Sequence, residues 1–153
     1  MAPSAQPGTG PTEEFRFPGN RLGLPEDGPG AVAGWGRRVL ALLVDWLIAG
    51  LVASAITSKP MWAGGNDYST SHLVTFFAMT AILTGLLGYT IGHRICGVRV
   101  APVRGNTTHP GPPGLVAGLI RAFLLCLLIP AVVYDRDRRG LHDRAASTVV
   151  VRR

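Results

Sequence analysis

Val39 to Ile56 is an apolar run interrupted by one charge, Asp45, and entered through Gly36-Arg37-Arg38. Its length suits a helix crossing a bilayer core of roughly 30 Å at about 1.5 Å per residue. An ionisable group inside such a helix marks a functional site by default, because lipid solvates charge poorly. Arg38 and Asp45 lie seven residues apart, so they share a helix face but are separated by roughly 10 Å along the axis. Side chains on a helix lean toward its N-terminus, which carries Arg38 away from Asp45. Asp45 must therefore be protonated, hydrated or paired with a group on another helix.

Two further apolar blocks follow. Leu73 to Ile91 carries no charge, and Gly114 to Tyr134 contains Arg121 and Pro130. The fold class expected is an all-α transmembrane bundle with two spans, at about 38–57 and 72–92, and a third segment at about 114–134. The third segment either spans or re-enters: its length favours spanning. The arginines that follow it favour a return to the starting side. Residues 1–33 are rich in Pro and Gly with scattered acids, and read as a disordered tail; 34–153 form the membrane domain, ending in a basic segment, 135–153.

The net charge of +6 comes from fourteen arginines and one lysine, Lys59, and most of the arginines flank apolar blocks. That placement points to anionic lipid headgroups and not to nucleic acid. Arg37, Arg38, His93, Arg94, Arg99 and Arg104 contrast with the nearly neutral loop Thr57 to Ser71. The positive-inside rule then puts the N-terminus and the 93–113 segment in the cytoplasm. Trp62 and Tyr68 fit an interfacial aromatic belt on the opposite face. No signal peptide is evident before the first run. Cys96 and Cys126 form neither a disulfide framework nor a zinc site, and no metal or cofactor is expected.

Small residues indicate where helices approach. Thr84, Gly88 and Gly92 fall four apart, with Ala81 and Gly85 as a second stripe and Ala49/Ala53 and Gly50/Ser54 as counterparts in the first run. They suit either contact between the first two helices or a contact between copies. Arg121 lies seven residues past Gly114, as Asp45 lies seven past Arg38, so both reach a similar depth and are expected to pair across helices. Val98 to Val103 alternates, and the Val149–Val151 run is β-prone; the two are expected to meet at the cytoplasmic face. His142-Asp143 reads as a turn, and His109 as a solvated loop histidine.

Three separated elements resemble the RDD family of small bacterial integral membrane proteins. They are Arg38, Ala41 and Asp45; Thr90, Gly92, His93, Gly97, Arg99 and Val100; and Leu141 to Val150. The resemblance implies one arginine and two aspartates at or within the membrane helices. Arg38 and Asp45 match the first two, and Asp135 or Asp143 takes the remaining part. Ala146-Ser147-Thr148 departs from the family's usual Ala-Gly-Thr. Transport is the activity usually suggested for the family.

No phosphate loop, metal set or nucleophile elbow is present, so no enzyme is expected. The reading favoured is a non-catalytic accessory or scaffold in a membrane complex, as a homo-oligomer or with a membrane-protein partner. The alternative is a transport component that exchanges a proton or cation at Asp45, tuned by Arg121. The candidate functional charges are Arg38, Asp45, Arg121 and Asp143, with Thr84, Gly88 and Gly92 for packing.

Overall fold

The computed structural model describes residues 16–62, 65–105, 107–127 and 138–153. The first apolar run is helix α1, Trp35–Thr57, which stops at Ser58 in the left-handed conformation. Helix α2, Asn66–Leu87, runs back against it and stops at Gly88, whose φ of 76° suits glycine and whose N–H donates to the Thr84 carbonyl. Both helices are long and apolar enough to cross a membrane.

Their packing is the reverse of a soluble protein's. The buried positions of α1 are Arg38, Ala41, Asp45, Ala49, Gly50 and Ala53, while Leu43, Leu47, Leu51 and Ile56 are exposed. Helix α2 buries Thr80, Ala81, Thr84 and Gly85 and exposes Val74, Ile82 and Leu86. Water would oppose so much outward-facing apolar surface; lipid does not, and lets small residues set the helix contacts.

Helix α3, Ile91–Ile95, and strand β1, Val98–Arg104, follow α2; β2 is Thr107–Thr108, helix α4 Leu115–Cys126, helix α5 Leu141–Ala145 and strand β3 Thr148–Arg152. The sheet order is β2-β1-β3, antiparallel throughout. The expected meeting of the two valine-rich segments is therefore found, but the chain is not all-α: it is mostly helical with a three-stranded sheet. The fully buried valines explain why these segments are strands, since the sheet has apolar packing on two faces.

The sheet also orders part of the segment read as a disordered tail. Leu22 and Val32 pack on Ala101, Val103, Val149 and Val151, Val32 bridges to Val151, and the Gly30 N–H donates to the Arg152 carbonyl at 3.0 Å. Residues 1–15 lie outside the described residues.

The unit of short helix, tight turn and strand occurs twice, 50 positions apart. α3 ends at Cys96 (φ −80°, ψ 2°) and passes through Gly97 (φ 65°) into β1; α5 ends at Ala146 (φ −86°, ψ 2°) and passes through Ser147 (φ 50°) into β3. The same backbone bonds close both: Cys96 to Gly92 and Ala146 to His142, Gly97 to Arg94 and Ser147 to Arg144. Val100 pairs with Val150, its own equivalent, as a local two-fold axis through that pair requires.

Because β3 pairs with β1, the chain from α4 to α5 returns to the side from which it left. Helix α4, with 12 residues, is about 18 Å long, short of a full span. Pro130 and Asp135 lie outside the described residues, and with them the choice between a spanning and a re-entrant third segment.

Two packing expectations are corrected. Thr84, Gly88 and Gly92 do not form one stripe, because α2 ends at Leu87 and Gly92 belongs to α3. Helix α2 also packs closely on α4: a Cβ at Gly118 would lie 2.4 Å from the Ala81 carbonyl oxygen and 2.9 Å from the Gly85 nitrogen. Tyr68 is buried, donating to the Gly50 carbonyl at 3.2 Å, while Trp62 is exposed.

Candidate functional site

The first turn of α1 carries Arg38 under the sheet. Its Nε donates to the Ala33 carbonyl at 3.0 Å, one terminal nitrogen to the Val150 carbonyl at 3.1 Å and the other to Asp143 Oδ2 at 3.0 Å. Arg38 thus does not reach out to headgroups: one guanidinium joins the chain before α1, strand β3 and helix α5. Its planar fork suits three partners in one plane.

Asp143 is fully buried and takes a second cation. Arg121 on α4 forms an ion pair with Oδ1, His142 Nε2 lies 3.6 Å from the same oxygen, and the Thr148 hydroxyl donates to it at 3.4 Å. The expected Asp45–Arg121 pair is therefore corrected to Asp143–Arg121. Equal depth suggested the wrong acid, because α5 brings a carboxylate back under the sheet that a count along α1 and α4 could not reveal. The turn reading of His142-Asp143 is corrected with it: Asp143 is the hub of the cluster.

Asp45 faces α3 instead. Its Oδ1 accepts the Gly92 N–H at 2.8 Å, and its Oδ2 accepts the Thr90 hydroxyl. Gly92 is required for this approach, since a Cβ there would lie 2.1 Å from the Ala41 carbonyl oxygen. Thr90 caps α3, accepting the His93 N–H at 3.2 Å, and its oxygen also contacts His93 Nδ1. His93 Nδ1 sits 3.6 Å from Asp45 Oδ2. Burial pushes the His93 imidazole below its usual pKa of 6.5; the Asp45 hydrogen bond opposes this, and the fields of Arg121 and Arg38 add to it. The two halves of the site are thus electrostatically joined.

His93 and Asp143 are equivalent under the two-fold. Each faces a buried charge on another helix, Asp45 on α1 and Arg121 on α4, so the same position is used with reversed sign. Arg38 then crosses to the Asp143 half. The four charges Arg38, Arg121, Asp45 and Asp143 sum to zero.

Thr90 and His93 were not singled out as site residues by sequence reasoning, although a threonine just before a helix start is an N-cap signal. Among the described residues, no three His, Cys, Asp or Glu side chains are placed to hold a metal ion. An apolar cleft of about 330 Å³ lies between Leu43 and Trp46 of α1, Phe76 of α2 and Leu125 of α4.

The chain is 26% identical over 133 residues to the uncharacterized membrane protein YteJ of Bacillus subtilis (strain 168), covering 79% of this chain and 81% of that one. No solved structure matches it. The family model of the RDD family matches residues 32–147, a stretch that contains Arg38, Asp45, Thr90, His93, Arg121 and Asp143, and the chain is a membrane protein of the RDD family.

Proposed function

We infer that the chain is a non-catalytic scaffold, a bundle that holds a small basic sheet against one membrane face for a partner membrane protein or a second copy of itself. The observation that supports this reading is the Arg38–Asp143–Arg121 cluster, which ties α1, α4 and α5 to β3 and whose charges sum to zero with Asp45. A carrier needs a charge that changes partners during turnover, whereas both oxygens of Asp143 are held by fixed cations. Arg37, Arg94, Arg99, Arg104, Arg144, Arg152 and Arg153 all belong to the sheet end of the molecule, and Lys59 to the opposite loop. By the positive-inside rule the sheet and the start of α1 face the cytoplasm, in the inner membrane of a bacterium.

A transport component is the second reading, and one feature favours it: the chain of carboxylate, hydroxyl and imidazole through Asp45, Thr90 and His93. One pair of measurements separates the two. Mild detergent extraction followed by intact-complex mass spectrometry is expected to show a stoichiometric partner or a homo-oligomer. Proteoliposomes under a pH or cation gradient are expected to show no flux. A flux that Asp45→Asn abolishes without loss of assembly would overturn the scaffold reading.

A further inference from the structure

Where α2 gives way to α3, Tyr89 is held in a fixed place. Gly88 turns the chain, its carbonyl accepts the Val100 N–H at 2.7 Å, and strand β1 is thereby joined to the helix end. The end of β3 arrives at the same spot, with the Arg153 N–H donating to the Gly97 carbonyl at 2.9 Å. The half-buried ring carries two guanidiniums, Arg94 at 5.5 Å and Arg153 at 5.1 Å from its centroid. Arg99 and Arg153 line a cavity of about 160 Å³ beside it, floored by Gly88 and Pro112. Among the described residues, none of these three exposed arginines pairs with an acidic side chain. Three cations gathered round one ring with no acidic side chain among them repel one another and favour an anion.

A second groove, also of about 160 Å³, shares Tyr89 and Leu87 with the first and runs along Leu83, Ile91 and Ile95. Leu87, Ile91 and Ile95 are all exposed, on the same outward apolar surface as the long helices. A basic pocket continuous with an apolar groove at the lipid-facing end of a helix matches one class of ligand from head to tail. We propose that this is a binding site for an anionic glycerophospholipid. Its phosphate sits among Arg94, Arg99 and Arg153 beside Tyr89, and one acyl chain lies over Leu83, Leu87, Ile91 and Ile95. The site lies apart from the buried charge cluster and stands whether the chain scaffolds or transports. Its position at the sheet end agrees with the higher density of anionic lipid on the cytoplasmic leaflet.

The test uses the full chain in nanodiscs of equal phosphatidylglycerol and phosphatidylcholine, released and weighed intact by native mass spectrometry. Wild type is expected to retain phosphatidylglycerol in preference. The double variant Arg94→Gln, Arg153→Gln is expected to lose that preference by about tenfold or more, the loss expected for two surface cations. Arg94→Lys with Arg153→Lys is expected to restore most of it, and Arg104→Gln, at the far end of β1, to leave it unchanged. Ile95→Ser is expected to weaken retention without changing headgroup preference. Equal retention of both lipids by wild type overturns the proposal. So does an equal loss in Arg104→Gln, which would mean a diffuse basic rim. Displacement of the lipid by millimolar inorganic phosphate alone would mean a phosphate pocket, and overturns it too. Trp fluorescence melts of each variant separate a lost site from a lost fold.

Discussion

Asp143→Asn tests the buried cluster most directly. The substitution keeps the size and shape of a side chain that has no exposed surface, and removes the one carboxylate shared by Arg38 and Arg121. The four buried charges, Asp45 included, then pass from zero to one net positive charge, held between helices and sheet where water does not reach. Breaking a buried pair by removing one partner costs about 3–5 kcal/mol, because the remaining charge is uncompensated. For a domain of this size each kcal/mol moves the melting temperature by about 2–4 °C, so a drop of roughly 6–20 °C is expected. The assay is thermal unfolding in detergent, followed by the fluorescence of Trp35 and Trp46. A drop of less than about 2 °C would refute the reasoning. The double variant Arg121→Met, Asp143→Asn checks the cause. If uncompensated charge is the cost, removing one cation together with the carboxylate leaves Arg38 and Asp45 in balance and recovers most of the loss. A double variant less stable than Asp143→Asn would show that the lost bonds, and not the stranded charge, carry the effect.

Three further outcomes follow from the geometry and are read by the same melts. Asp45→Asn keeps an acceptor for the Gly92 N–H and is expected to cost about 1 kcal/mol. Asp45→Leu leaves that N–H and the Thr90 hydroxyl without the carboxylate and is expected to cost about 2–4 kcal/mol. Gly118→Ala forces a Cβ to within 2.4 Å of the Ala81 carbonyl oxygen and is expected to cost about 1–3 kcal/mol. Gly36→Ala, in open space on α1, is expected to stabilise by about 0.5–1 kcal/mol; equal effects at the two sites would contradict the α2–α4 contact. Because burial lowers the His93 pKa, the unfolded chain takes up the proton first. Stability is intact above about pH 6.5 and falls as the pH drops below it, a dependence His93→Gln is expected to flatten.

The long helices were legible because lipid imposes length and apolar content, and both appear directly in the residues. Arg38 and Asp45 were legible for the same reason: a charge within an apolar run is costly wherever it sits, so its presence marks a site before its partner is known. The pairing of Val98–Val103 with Val149–Val151 was legible from β-branched content alone. The partners of the charges were not, since they depend on α3 and α5, five-residue helices whose apolar positions show no resolvable period. The order in residues 19–33 was hidden because Leu22 and the three-residue run Ala31-Val32-Ala33 are short apolar patches among glycines and prolines. They are buried only through a sheet that forms far along the chain. Gly88 was read as a packing residue when it is the stop of α2, since glycine serves both uses in membrane helices.

The two-fold repeat raises the question of why its halves carry opposite charges, and one substitution addresses it. Van der Waals contact between small residues brings membrane helices together but discriminates weakly between similar surfaces. With identical polar groups at positions 93 and 143, Arg38 would find equivalent acceptors in both halves, and α3 and α5 would compete for it. An imidazole kept neutral by burial at 93 and a carboxylate at 143 remove that ambiguity. His93→Asp restores the ambiguity and sets a second carboxylate beside Asp45, where His93 now lies 3.6 Å away. Two carboxylates about 4 Å apart repel by about 4 kcal/mol at the effective dielectric of a protein interior. One of them therefore holds a proton well above the usual carboxylate range. In wild type, protonation of His93 is resisted by the fold, so acid destabilises; in His93→Asp, protonation relieves the fold, so acid stabilises. Melts from pH 8 to pH 5 are expected to slope in opposite directions for the two proteins. The same slope in both would mean that position 93 does not face Asp45 in the membrane, and that charge reversal is not what distinguishes the two halves.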